Sequence, residues 1–374
     1  PAGADGKDGI QIDDTTVGLD AWSSKHIVDM LCPPISETGN PVQFYPVSGY
    51  PMGCKVSWEP AQEGSGDPSP DNVRPIKGRD SVTVTRCGKN LLNPSLFQNN
   101  KYQSFDVATN YYEITSINGY WISGIQPCSP NTTYRFNTAI EGGCFYDEKK
   151  NIIGIAGFEF TLKTPAKCAY YCVNFSSSAA PYGTPVIATV GESTTYTPYI
   201  GQTNTLTLPR TIGGGTVDAV TGEGKETWRL LTLDGTEEWS NDHDYMYIPK
   251  KEYILANVNV SAYSNQYLYH PKYSVQEDQT YMRISGARYL EFGPVDSASA
   301  WIDHLVAQKA KGTPVQVAIA PTTPTSFTAT GAQPISALNG VNTVLTDADS
   351  ATVTGRADPI KRITDLEDAV ASMT

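Results

Sequence analysis

From residue 88 to 201, short alternating or aromatic runs are broken by turn-forming residues about every 8 to 12 positions. This spacing restricts the chain most, because it suits strands of a sandwich or barrel and leaves no room for long helices. The runs are 111–115, 120–125, 133–137, 143–146, 152–155, 158–162 and 169–175. Pro130 with Asn131 makes one turn and 147–151 another, so this segment reads as one domain with its own core. The 32 glycines, 26 prolines and 22 tyrosines of the 374 residues fit the same picture, with turn dihedrals from the first two and pleated-surface packing from the third.

Other segments carry weaker periodicity. Residues 42–47, 54–58 and 81–85 read as strands around a loop at 64–78, in which Pro68, Pro70 and Pro75 stiffen an extended connector. Residues 217–220 and 227–233 flank the turn 221–224 as a hairpin. Ser297 or Ser299 caps a helix with Trp301, Leu305 and Val306 on its apolar side, and Gly312 ends it. The alternation of Val315, Val317 and Ile319 then implies a strand with one buried face.

Both termini look like assembly elements. Gly3, Gly6 and Gly9 stand at the three-residue spacing of a collagen-type stalk, or form a flexible linker. The chain opens on Pro rather than Met, which suggests a processed or cut end. Asp20 or Ser23 can cap a helix through Leu31, with Trp22, Ile27, Met30 and Leu31 on one side. Near the C-terminus, Asp358 as cap and Pro359 at the first position open a helix. In it Ile363, Leu366, Val370 and Met373 fall at a, d, a and d of a heptad, and Arg362 faces Glu367 between chains.

The expected architecture is mainly β: tandem, jelly-roll-like β-sandwich domains with a short N-terminal stalk and a short C-terminal coiled-coil helix, assembled as a trimer. Residues 1–19 form the stalk end or linker, 20–87 a helix with a small β region, and 88–204 a β-sandwich. Residues 205–356 form a second β domain with one helix at 297–311, and 357–374 the trimerising helix.

The formal net charge of −12 argues against nucleic acid or anionic lipid as partners, since phosphate contacts need concentrated Lys and Arg. No run approaches the roughly 18 to 20 apolar residues of a membrane span. Seven cysteines form no regular disulfide framework, and Cys168 and Cys172, about 13 Å apart along a strand, cannot pair with each other. With Cys144 they lack the knuckle that zinc needs, so the thiols read as reduced and mostly buried. No cofactor and no metal is expected. The densest polar cluster, 241–244, reads as a solvated loop that calcium or hydrolysis could use. No nucleophile elbow, zinc-protease pair or P-loop occurs.

Four segments, Gly66 to Ile76 (GDPSPDNVRPI), Gly88 to Asn93 (GKNLLN), Tyr196 to Gly201 (YTPYIG) and Gly312 to Val317 (GTPVQV), together resemble tail proteins of phages and prophages of Gram-positive gut bacteria. In that family a segment opening with GKNL and closing at Tyr-x-Pro-Tyr resembles the jelly roll of carbohydrate-binding modules. The resemblance implies trimeric assembly, other tail proteins as partners, and attachment to bacterial cell-surface polysaccharide. It also implies a place in the virion, at the tail tip or fibre, after synthesis in the host cytoplasm. Four cysteines, at 128, 144, 168 and 172, stand where such domains more often have other residues.

Sugars are held by aromatic faces and a few hydrogen-bonding groups, and Trp121, Tyr146, Asp147, Tyr112 and Tyr182 are the expected contacts. Two other readings stay open: a purely structural tail or baseplate spacer, and a polysaccharide depolymerase using two distant carboxylates.

Overall fold

The computed structural model describes residues 29–106, 111–176, 187–190, 194–242, 245–249, 261–269, 281–284, 289–293, 295–321 and 323–371. The glycine triplets and most of the expected N-terminal helix lie outside these residues. So do His243 and Asp244 of the polar cluster.

The molecule is mainly β and antiparallel. One sheet runs in the order Pro34–Gly39, Ser350–Arg356, Pro51–Trp58, Gly214–Asp218, Glu223–Leu233, Val315–Ile319, Ala262–Ser264. A second runs Gly201–Ile212, Arg79–Cys87, Asn342–Thr346, Val42–Phe44. Strict alternation explains why they face each other: Met52, Cys54, Val56 and Trp58 point inward from one strand, and successive side chains of a strand take opposite faces. Val56, Val217 and Val353 of the first sheet share one core with Val82, Val84, Leu206 and Val344 of the second. Each such side chain stabilises the fold by about 1.5–3 kcal/mol.

This sandwich is discontinuous in sequence. Residues 20–87 and 205–356 were expected as separate domains, yet Pro34–Gly39 pairs with the strand Ser350–Arg356, from Pro34 opposite Arg356 to Gly39 opposite Ala351. Arg79–Cys87 likewise pairs with Asn342–Thr346. The physical reason is that neither segment closes its own apolar face; each completes the other, and pairing between residues so far apart in sequence leaves no local signal. Residues 88–200 are therefore an insertion in this sandwich, and 234–314 a second one that lends the strand Ala262–Ser264 to the edge of its first sheet, beside Val315–Ile319. The first leaves and returns at one point, where Cys87 pairs with Gly201 and the Gly88 N–H donates to the Ile200 carbonyl at 3.0 Å.

In the first insertion the runs expected at 133–137 and 143–146 belong to one strand, Thr133–Tyr146. Those at 152–155 and 158–162 belong to its partner, Ile152–Lys163. What reads as a break is a register shift between Arg135 and Ile140 in a continuous ladder, where extra residues bend the pair without ending it. Beyond the shift Gly143 is required, since a Cβ would lie 2.2 Å from the Cys172 carbonyl oxygen. Tyr134, Phe136, Tyr171 and Phe175 fill the core on one face, joined by Cys87 and Leu345 of the sandwich, so the two units share packing.

In the second insertion the helix Ala298–Ala310 shares, through Trp301 and Leu305, one core with Tyr267, with Phe292 of a five-stranded sheet and with Val315 and Val317 of the sandwich's first sheet. Ser297 caps it, accepting from the Ala300 N–H. Val306, expected on the apolar side, is exposed, and Gln308 is buried instead. Gln308 is held by Thr313, whose hydroxyl donates to its side-chain carbonyl at 3.0 Å.

The C-terminal helix, Pro359–Ala371, is capped by Asp358, whose carboxylate accepts from the Ile360 N–H at 2.8 Å. Ile360, Ile363, Leu366 and Val370 are exposed along it. Met373 lies outside the described residues. The Arg362 guanidinium, expected to pair with Glu367 of another chain, donates to the Met30 and Leu31 carbonyls of its own. No helix among the described residues is long and apolar enough to cross a membrane.

Candidate functional site: a polar cleft at the module junction

Of the aromatic contacts expected from sequence, the two with described side chains, Trp121 and Tyr146, are buried. Trp121 is 1% exposed, stacked on Phe175 with ring centroids 4.5 Å apart, and its indole N–H donates to the Ser176 carbonyl. A ring closed in this way has no face to offer a ligand. Its strand, Tyr120–Ile122, is paired on both sides, by Gln98–Asn99 and by Tyr170–Ser176, which sends the indole inward. Tyr146 is also buried, its hydroxyl receiving the Gln103 side-chain amide at 2.6 Å. Tyr182 lies outside the described residues, and of Tyr112 only its place in the strand Tyr111–Thr115 is described.

Asp147 is the expected residue that reaches an open site. It organises the tip of the hairpin, accepting from the backbone of Lys149 and Asn151 at 2.9 and 2.8 Å and from the Asn151 side chain at 3.0 Å. Beside it lies a cleft of about 550 Å³ between the first insertion and the sandwich. Three loops of the insertion give one wall, with Pro130 and Asn131, Asp147 and Glu148, and Lys167 to Ala169. The sandwich gives the other with Glu59, Glu63, Lys77, Arg79, Asp347 and Asp349.

Charged side chains knit the walls. Arg79 lies 3.0 Å from Glu148 across the junction and 3.6 Å from Asp347. Lys77 sits 2.6 Å from Glu63, and this hydrogen bond, with Asp147 and Glu148 nearby, holds its ammonium above the usual lysine range. Burial pushes Asp347 upward against the opposing pull of Arg79. Burial, followed by the charge of Asp349, also raises Glu59. Six carboxylates face three cations here, so the cleft offers acceptors to hydroxyl or amino groups and repels phosphate.

Two side chains at the rim are held at a conformational cost. Asn131 has φ +52° and Lys167 φ +66°, in the left-handed region where asparagine is tolerated and lysine is uncommon. Both are exposed. A glycine would relieve the strain at Lys167.

The signal for this cleft was absent from local sequence, because its walls come from segments up to 290 positions apart, such as Asp349 accepting from the Glu59 N–H. Phe158 and Phe160, inside an expected strand, were also missed as surface groups; they are 71% and 60% exposed on the sheet-edge strand Ile152–Lys163. Among the described residues no group of three or more His, Cys, Asp or Glu is placed to hold a metal ion. Comparison with protein-family models, with curated proteins and with solved structures returns no match.

Proposed function

We propose that the chain is a phage tail receptor-binding protein that attaches to polysaccharide on the bacterial surface, with other tail proteins and two further copies of itself as partners. The cleft carries this reading. Its volume suits a saccharide of one or a few residues. Its carboxylates accept from sugar hydroxyls, while Lys167 and Asn131 donate from the rim. Three copies joined along the exposed face of the C-terminal helix would raise avidity without any single tight site. The first insertion takes the part of the carbohydrate-binding module, and the virion tail is the proposed location.

The test is binding of purified host wall polysaccharide by the wild type and by the double variant Asn131→Gly, Lys167→Gly, which keeps both backbone conformations. Loss of binding by a folded variant supports the cleft. Undiminished binding moves recognition elsewhere, and silence of the wild type across host polysaccharides favours a structural spacer.

A hydrolytic reading draws on Glu59 and Asp347, two carboxyls raised by burial in one cleft, as a general acid would be. Release of reducing ends by the wild type but not by Glu59→Gln would support it.

A further inference from the structure

We propose that Cys128 and Cys168 are an oxidisable dithiol, closed by peroxide to a disulfide that staples two loops of the first insertion beside the cleft. All seven cysteines are free thiols in this structure. Two of them, 40 positions apart and both buried, place their sulfurs 3.5 Å from each other. They sit where the strands Gln126–Pro127 and Tyr170–Ser176 part: the Cys128 N–H donates to the Ala169 carbonyl at 2.8 Å, so the backbones are already held together. A modest rotation of the side chains covers the remaining distance to a bond of about 2 Å.

The chemistry is asymmetric. Cys168 belongs to the cleft wall, so the cleft is the side from which a small oxidant would approach it. Its thiol is lowered from the ordinary cysteine value, foremost by the hydrogen bond from Cys128, whereas burial pushes Cys128 up. The Cys168 thiolate therefore attacks one peroxide oxygen, breaking the O–O bond to give a sulfenic acid and hydroxide, which takes a proton to leave as water. The Cys128 sulfur then attacks the Cys168 sulfur, the S–O bond breaks, and the oxygen leaves with the Cys128 proton as a second water. Two thiols lose two electrons and two protons, and one peroxide is reduced to two waters.

A second pair supplies the internal control. Cys144 and Cys172 oppose each other across neighbouring strands, but burial holds their thiols at about 11 and about 12, so they carry almost no thiolate. The reaction is thus expected to be selective for one pair.

The full chain would be treated with hydrogen peroxide under native conditions, alkylated after denaturation, digested without reduction, and mapped by mass spectrometry. The expected result is a peptide joining Cys128 to Cys168 with five alkylated cysteines, together with a melting temperature raised by several degrees and restored by a reductant. The Cys128→Ser variant should stop at a sulfenic acid on Cys168 that dimedone traps. Joining of Cys144 to Cys172 first, oxidation of Cys168 to a sulfinic acid without cross-linking in the wild type, or seven alkylated thiols after peroxide would each overturn the proposal.

Discussion

The Arg362 guanidinium donates to the Met30 carbonyl at 3.2 Å, tying the C-terminal helix to the last turn of the N-terminal one. Arg356 continues the tie, donating to the Cys32 carbonyl and pairing with Asp29. Residues 29–32 and the start of the C-terminal helix therefore meet at one edge of the sandwich, and the exposed row of Ile360, Ile363, Leu366 and Val370 begins there. In the proposed assembly that edge is the stalk side, and the two insertions are carried by the rest of the sandwich.

Trp121→Ala is expected to destabilise the first insertion by about 3–5 kcal/mol, because it removes a buried ring stacked on Phe175 and opens a cavity. Urea titration of tryptophan fluorescence and circular dichroism checks this. Any loss of glycan binding in this variant then reports unfolding, whereas Asn131→Gly with Lys167→Gly leaves the midpoint nearly unchanged.

Glu226 is 1% exposed in the sandwich and receives Arg210 through both nitrogens, at 2.9 and 2.7 Å. Arg210→Ala leaves that carboxylate buried with Arg229, 4.0 Å away, as its remaining cation. The expected cost is about 2–3 kcal/mol, reduced from that of a fully buried pair because Arg210 is half-exposed. The double variant with Glu226→Gln should recover part of it, as a double-mutant cycle in urea would show.

How much of this was legible in sequence differs by element. Asp358 followed by Pro359, and Ser297 before an apolar stripe, announce helix starts because a cap is a local interaction. The first insertion was also visible, since its GKNL and YTPY ends lie side by side, with the Asn90 side chain donating to the Thr197 carbonyl at 3.0 Å. Trp121, expected as a ligand contact, is buried, because alternation says that half the side chains face inward but not which half; that depends on partner strands. The sandwich was split in two for the same reason, since only pairing shows that Pro34 meets Arg356. The GDPSPDNVRPI and GTPVQV segments lie far apart in sequence, yet the Ile76 N–H donates to the Gln316 side chain at 2.9 Å, fastening the strand Val315–Ile319 to the loop organised around Arg74.

His304 stacks on Trp301 and bonds the Tyr267 hydroxyl through Nε2 at 3.0 Å. Burial, aided by Lys311, holds its imidazole below the ordinary value of 6.5. The neutral ring is therefore favoured in the folded state. Its stabilising contribution is present above pH 6.5 and is lost as pH falls through that value toward the lower folded one. Melting curves from pH 8 to 5 should show this decline, and His304→Phe should flatten it.

Self-association through the C-terminal helix is the centre of the proposed assembly. Sedimentation equilibrium on the full chain is expected to return three times the 40.5 kDa chain mass, falling to one chain mass when Ile363 and Leu366 are both changed to Asp. A wild-type particle of 40.5 kDa across the micromolar range would contradict it.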